Sequence, residues 1–301
     1  MNHHSKRVAL AISLFDKHVR FARSSIERAT LEFGRQWYDE FAELLESVYQ
    51  DENSLVMAIK GYGHFCLDSM RRQRQFEVDD CYAHGTFAQA AEQVYFNVEY
   101  MTKQYLPGLL LSHYLWPHHY QQIEYFRAFA IAQMRARNTD RFAEVGIGTG
   151  IYSRIALTSL PAIRGTGYDI SPHSIEFSLK HLDAFGVRSR FASELHDVIT
   201  TPTATRYPWV FCVEVLEHLE DPGAMLSALK GITEPGGRLF VTAALNAAHA
   251  DHLYLYRQPQ DVLDQVARAG LRVEHCFAAN AYAPARSGGV VPSALAMVLV
   301  N

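Results

Sequence analysis

The sequence predicts an α/β chain in two parts, a helical domain over 1–138 and a largely parallel, helix-covered sheet over 139–301. Three observations carry this. Up to about residue 138, apolar residues recur at steps of three and four with almost no strand signal. From Arg141 onward, short apolar runs alternate with helical stretches, the pattern of strands joined by crossover helices. At the junction, Phe142-Ala143-Glu144-Val145-Gly146-Ile147-Gly148-Thr149-Gly150 runs from a buried strand into a glycine turn and then into a helix start.

The first part reads as helices near 6–32, 35–50, 54–77 and 87–105, a break at Leu106-Pro107-Gly108, and further helix over 118–137. Ala91, Val94, Tyr95, Val98, Met101 and Tyr105 share one face by their spacing. Between Tyr95 and Phe126 stand nine aromatics: Tyr95, Phe96, Tyr100, Tyr105, Tyr114, Trp116, Tyr120, Tyr125 and Phe126. Each alone reads as a helix-packing residue. As a group just ahead of the glycine turn they are placed to roof a pocket, where rings attract a cation by about 0.5–2 kcal/mol each, and Tyr114, Tyr120 and Tyr125 are the candidates for that roof. His113, His118 and His119 lie in the same stretch, but no fixed ligand set or carboxylate partner accompanies them, and no metal is expected.

The second part opens on the turn. Glycines at 146, 148 and 150 take backbone angles closed to other residues and let a ligand touch the main chain, and the helix start behind them suits an anion. Gly165 to Asp169 is a second strand ending in an acid, with Ile170 beyond it. An acid about 20 residues past such a turn is placed to accept both ribose hydroxyls of an adenosine cofactor; it also reads as dressing for the helix begun by Ser171-Pro172. That helix runs to Phe185 and stops at Gly186. A third strand is expected over Val187 to Phe191, followed by Glu194-Leu195-His196-Asp197. A fourth begins at Trp209 and leads into Val213-Glu214-Val215-Leu216-Glu217-His218. A helix over Pro222 to Lys230, a turn at Glu234-Pro235-Gly236-Gly237, a strand over Arg238 to Thr242, a helix over Pro259 to Ala269 and strands over Leu271 to Phe277 and Ala294 to Val300 complete the chain. Asn246, His249 and His252 fall in the loop after the fifth strand, where H-x-x-H reads first as loop packing.

A dinucleotide site takes G-x-G-x-x-G. Here Glu144-x-Gly146-x-Gly148-x-Gly150 resembles the first motif of class I S-adenosylmethionine-dependent methyltransferases, and the run from Val213 through Glu217-His218 to Asp221-Pro222 resembles the ubiquinone- and menaquinone-biosynthesis type, as does the Pro-Gly-Gly turn. Pro208 stands where that family often has Asp. The resemblance covers about 142–300 and implies a Rossmann-like methyltransferase sheet beneath an α-helical N-terminal cap. It implies cofactor contacts from Glu144, Gly146, Gly148, Gly150, Asp169 and Ile170. It places Glu194, Leu195 or Asp197 near the adenine, and Val213 and Glu214 under the methionine end. His218 then stands beside the reactive centre or serves as a structural helix-start residue. The implied activity is methyl transfer to a small molecule by direct displacement, in which position and alignment do most of the work and His218, His249 or His252 serve as base where the acceptor arrives protonated. The same core under an aromatic cap also resembles S-adenosylmethionine-consuming lyases of the azetidine-2-carboxylate synthase type, which release methylthioadenosine.

Composition bounds the partners. A net charge of -4 and pI near 6.4 give no basic face for nucleic acid, and Arg71, Arg72 and Arg74 read as a solvated helix face. Four cysteines without C-x-x-C spacing fit a reducing cytoplasm. No stretch approaches the roughly 20 apolar residues that span a bilayer. A small-molecule substrate is expected, and self-association stays open.

Overall fold

The computed structural model describes residues 3–83, 85–283 and 290–301. The helical part comprises α1 (His3–His18), α2 (Arg23–Val48), α3 (Glu52–Asp79), α4 (Phe87–Gln93), α5 (Val98–Tyr100), α6 (Leu106–Leu115), α7 (Pro117–Tyr125) and α8 (Ala132–Ala136). Local chemistry sets the boundaries. Gly34 at φ 67° kinks α2, and Asp51 accepts from Ser54 N at 2.8 Å to start α3. Thr86 and Asn97 cap α4 and α5 in the same way.

The expected break at 106–108 is not observed. Pro107 sits in the first turn of α6, where its missing N–H costs nothing. Gly108 lets that turn press on Phe65, whose Cβ would lie 2.4 Å from an added methyl. The chain breaks instead after Gln93 and at Trp116, which precedes Pro117 and is extended (φ −103°, ψ 116°). Two π-turns, Met101–Tyr105 and Phe126–Ile131, shift the face that the following turns present.

The strands are β1 (Arg141–Val145), β2 (Arg164–Asp169), β3 (Phe191–Leu195), β4 (Tyr207–Cys212), β5 (Thr233–Leu245), β6 (Arg272–Asn280) and β7 (Ser293–Val300), in the order β3-β2-β1-β4-β5-β7-β6. β1 to β5 pair in parallel, and β7 runs antiparallel between β5 and β6. Helices α9 (Ile151–Ser159), α10 (Pro172–Ala184), α11 (Pro222–Ile232) and α12 (Pro259–Arg268) complete it. β3 begins four residues later than expected, because 188–190 form a tight turn first. The Pro-Gly-Gly turn lies inside β5 as an irregularity opposite 207–209, with Gly236 at φ 72°.

The helical layer and the sheet share one apolar core. Phe126 packs edge-on against Phe211 at 5.0 Å and Phe240 at 4.8 Å, while Tyr125 stacks on Phe277 at 5.4 Å. Burying rings of this size stabilises by about 1.5–3 kcal/mol each, so the roof is held on its floor by packing. Polar ties add direction: Gln73 of α3 donates to Asn246 O at 3.0 Å and accepts from Ala248 N at 2.9 Å.

Candidate active site

Between the helices and the C-terminal ends of β1, β2 and β4 lies a cavity of about 1220 Å³. Small-molecule sites of about 300–1,000 Å³ are the rule, so there is room for a cofactor and a second ligand together.

The glycine turn forms one wall. Gly146, Gly148 and Gly150 have φ of 73°, 49° and 72°, a run of left-handed residues that only glycine adopts without strain. At Gly148 an added methyl would meet only Leu109, at 3.9 Å, so the main chain there is open to the cavity. Gly150 is instead closed in, with Ser178 Cβ 2.9 Å from an added methyl, and caps α9. Glu144 sits beneath the turn and accepts from Ser153 N at 3.0 Å and from Ser153 Oγ. Burial pushes its carboxyl up to about 8 against those bonds. Its structural work is to hold the start of α9.

Asp169 ends β2 inside the cavity. One oxygen accepts from Ser171 N at 2.8 Å, the other from Gly148 N at 3.1 Å, so the helix-dressing reading and the cavity placement hold together. Burial raises its pKa to about 6, opposed by the backbone amides around it. Ile170 also lines the cavity. Glu194 and Leu195 differ from expectation: both are exposed on the outer end of β3, Leu195 by 62%, and neither lines the cavity. Asp197 does, held by Ile199 N at 2.9 Å and Thr200 Oγ1 at 2.9 Å.

Val213 and Glu214 line the cavity after β4. Glu214 takes φ 52°, a left-handed value that is strained for a residue with a side chain. Thr242 Oγ1 holds it, accepting from Glu214 N at 2.9 Å and donating to Oε1 at 2.6 Å, and Gln122 of the cap donates to the same oxygen at 3.3 Å.

The roof is aromatic, but the rings are not those expected. Tyr114, Tyr120 and Tyr125 pack in the core rather than against the cavity. Arg154 donates to Tyr114 OH at 2.8 Å, Tyr120 OH donates to Glu40 at 3.1 Å, and Tyr125 lies on Phe277. The π-turn at 101–105 precedes all three, and the break at Trp116 separates Tyr114 from the other two. Tyr95, Tyr105 and Trp116 line the cavity instead.

His218 is reached by a network no sequence pattern announces. Asp251 Oδ2 accepts from Tyr95 OH at 3.1 Å and Tyr105 OH at 2.8 Å and lies 2.9 Å from His218 Nδ1. Burial disfavours charge on both partners, yet their attraction holds Asp251 well below the usual carboxylate range and pushes His218 up to about 9. Burial, with the like charge of His218, lowers His249 to about 4, and burial with His218 and His249 holds His252 well below the usual imidazole range. Glu217, fully buried behind His218, is raised well above the usual range by burial and by the like charge of Glu214. Asp251 sits between His249 and His252 in a short loop, and its only sequence signal is an acid flanked by histidines.

A glycine turn after β1, an acid ending β2 and a turn after β4 thus meet in one cavity. Residues 143–239 match the family described as a methyltransferase domain. Among curated relatives, the chain is 28% identical over 156 residues to a ubiquinone biosynthesis O-methyltransferase of Bordetella avium, covering 52% of this chain and 64% of that protein. A Coxiella burnetii protein of the same name is 31% identical over 111 residues, covering 37% and 46%. Among solved structures, the N-methyltransferase NodS from Bradyrhizobium japonicum, in complex with S-adenosyl-L-homocysteine, is 16% identical with a TM-score of 0.44 over 62% of this chain and 88% of that one. The chain thus spans less than two thirds of these curated relatives. The matched stretch lies in the sheet, with the helical region ahead of it. Both of these curated relatives are named as methyltransferases. No helix among the described residues is long and apolar enough to cross a membrane.

Proposed function

We propose that the chain transfers the methyl group of S-adenosylmethionine to a small-molecule acceptor held under the helical cap, with residues 1–138 serving the acceptor and 139–301 the cofactor. One observation carries the reading: a single cavity joins the glycine turn, Asp169 and the post-β4 turn to a roof of Tyr95, Tyr105 and Trp116.

The residues present fit the cofactor. The open main chain at Gly148 admits a close ligand, and Asp169, pre-set by two backbone donors, keeps acceptor capacity for ribose hydroxyls. Asp197 is the acid nearest the adenine end, and Val213 and Glu214 border the methionine end. When bound, S-adenosylmethionine supplies an electrophilic methyl carbon on a cationic sulfur. The chain's own contribution is alignment and exclusion of water, worth several kcal/mol in well-positioned reactions. Tyr95 and Tyr105 place rings at the roof, where a cation is favoured, and His218, His249 and His252 put imidazoles on the acceptor side. Four cysteines, none in a disulfide, fit a reducing cytoplasm as the site of action.

The test is incubation of the pure chain with S-adenosylmethionine labelled in the methyl group and with fractions of small molecules. Label should pass to a small molecule with equal S-adenosylhomocysteine. Label that stays on the cofactor in every fraction contradicts the proposal.

A further inference from the structure

The cavity carries its charge unevenly. Its acids, Glu77 apart, come from the sheet part of the chain, whereas Arg28 of α2 and Arg74 of α3 are its only arginine or lysine side chains among the described residues. Arg28 donates from Nε to Ser24 O at 3.2 Å and from Nη2 to Ser25 Oγ at 3.4 Å, and it pairs with no carboxylate among the described residues. Burial raises the Tyr62 pKa well above its usual range and the charge of Arg28 opposes this, so the guanidinium lies at the Tyr62 end of α3. Arg74 lies about 18 Å further along that helix, on the same wall as Glu77. From Arg28 inward to His218 runs a wall of flat rings. Trp116 donates from Nε1 to Tyr62 OH at 3.1 Å and stacks on His118 at 5.8 Å. His249 lies 6.0 Å from Trp116, His252 4.9 Å from His249, and His218 4.8 Å from His252. Burial, with the like charge of neighbouring rings, holds His118 down to about 3 and His249 down to about 4, so both are neutral near pH 7. His118 is buried against the cavity, and its Nδ1 has no hydrogen-bond partner among the described residues.

We infer that the acceptor ends in an oxyanion, a carboxylate or a phosphate, held by Arg28, with an uncharged aromatic or unsaturated body lying along Trp116, His118 and His249. The lining sets the class. An ion that leaves water for an apolar cavity needs a charged partner, and a guanidinium offers an oxyanion a planar fork of donors. A cationic acceptor would be repelled by Arg28. The neutral rings offer stacking surface to a flat body and no charge that would oppose it. Arg74 shares its stretch of wall with Glu77, so selection of the anion falls to Arg28. Because the ring wall separates Arg28 from His218, the anion lies remote from the atom that takes the methyl group. It decides which molecules are held, and the reacting end of the acceptor is free to differ among them. Calling this ligand the acceptor rests on the methyl-transfer reading; the anion site itself does not depend on it.

The test reads binding and needs no turnover. Full-length protein is titrated with the fluorescent probe anilinonaphthalene sulfonate, an aromatic body ending in an anion, and the probe is displaced by naphthoate, naphthyl phosphate or the uncharged naphthamide. A single probe should bind per chain. The better of the two anions, which identifies the head group, should displace it about tenfold or more better than the amide, because a hydrogen bond to a charged group is stronger than one between neutral groups. Arg28→Gln should erase that preference and Arg28→Lys should keep part of it. Arg71→Gln removes the same charge from a residue that pairs with Asp68 and does not line the cavity, and should leave the preference within about twofold. Circular dichroism checks that each variant folds, and should Arg28→Gln fail to fold, the choice of the native chain between anion and amide decides. Absence of a stoichiometric probe site, equal displacement by anions and amide, a preference kept by folded Arg28→Gln, or an equal loss in Arg71→Gln overturns the inference. An anion site that passes these tests in a chain that moves no methyl label supports the site and overturns the methyl-transfer reading instead.

Discussion

Asp169 offers the sharpest quantitative test of the cofactor site. Its carboxylate is buried at the cavity wall, accepts from Gly148 N and Ser171 N, and has a pKa raised by burial to about 6. If the ionised form is the one that accepts ribose hydroxyls, the ionised fraction falls from about nine tenths at pH 7 to about one tenth at pH 5. Cofactor affinity should therefore be nearly flat above pH 7 and weaken about tenfold per unit below pH 6. Asp169→Asn keeps the shape and removes the charge. A hydrogen bond to a charged group contributes about 1.5–3 kcal/mol, so the variant should bind S-adenosylmethionine about 10–150-fold more weakly per ribose bond lost, and its pH dependence should flatten. Calorimetric titration of both proteins from pH 5 to 8 reads this directly. A native affinity independent of pH, together with an Asn variant that binds equally well, would refute the ribose role and leave Asp169 as a helix cap.

Four further outcomes follow from the packing and the buried charges. Tyr125→Phe should leave folding and cofactor affinity unchanged, since Tyr125 OH has no partner among the described residues, whereas Tyr125→Ala should cost about 3–5 kcal/mol in denaturant unfolding; Tyr105→Phe, which strips a donor from buried Asp251, should lower turnover and cost about 1.5–3 kcal/mol of stability. Gly150→Ala forces a side chain onto φ 72° and towards Ser178, and should lower thermal stability by about 1–3 kcal/mol. Glu144 has a folded pKa raised from 4.5 to about 8, so the folded state holds its proton through that interval. Stability from this group is present at the acid end and is lost as pH rises through about 8, and Glu144→Gln should flatten that slope in urea melts.

The sheet was legible because strands such as β1, β4 and β7 are apolar runs, and because Gly146, Gly148 and Gly150 hold backbone angles that leave little choice of residue. The strand order was not: β4 returns to pair with β1, and β7 inserts between β5 and β6. The site was legible where the main chain makes it: Gly148, Asp169, Ile170, Val213 and Glu214 all reach the cavity. It was illegible where tertiary packing makes it. Tyr114, Tyr120 and Tyr125 lie beyond the π-turn 101–105, while Tyr95 precedes it and Tyr105 ends it, and a backbone slip of that kind leaves no periodic mark. β3 starts late because Arg190 donates to Leu157 O, Leu160 O and Ile163 O, a long-range tie that propensity does not carry. Asp251 was invisible for a related reason: its three partners come from residues 95, 105 and 218.

The most direct test of the account as a whole is the fate of S-adenosylmethionine given to the pure chain with no acceptor, followed by mass spectrometry of the adenosine products. Methyl transfer to a separate molecule in the acceptor half of the cavity predicts that the cofactor stays intact, and that S-adenosylhomocysteine forms only once an acceptor is supplied. Steady release of methylthioadenosine from the acceptor-free mixture would contradict it, because the reacting group would then be part of the cofactor itself.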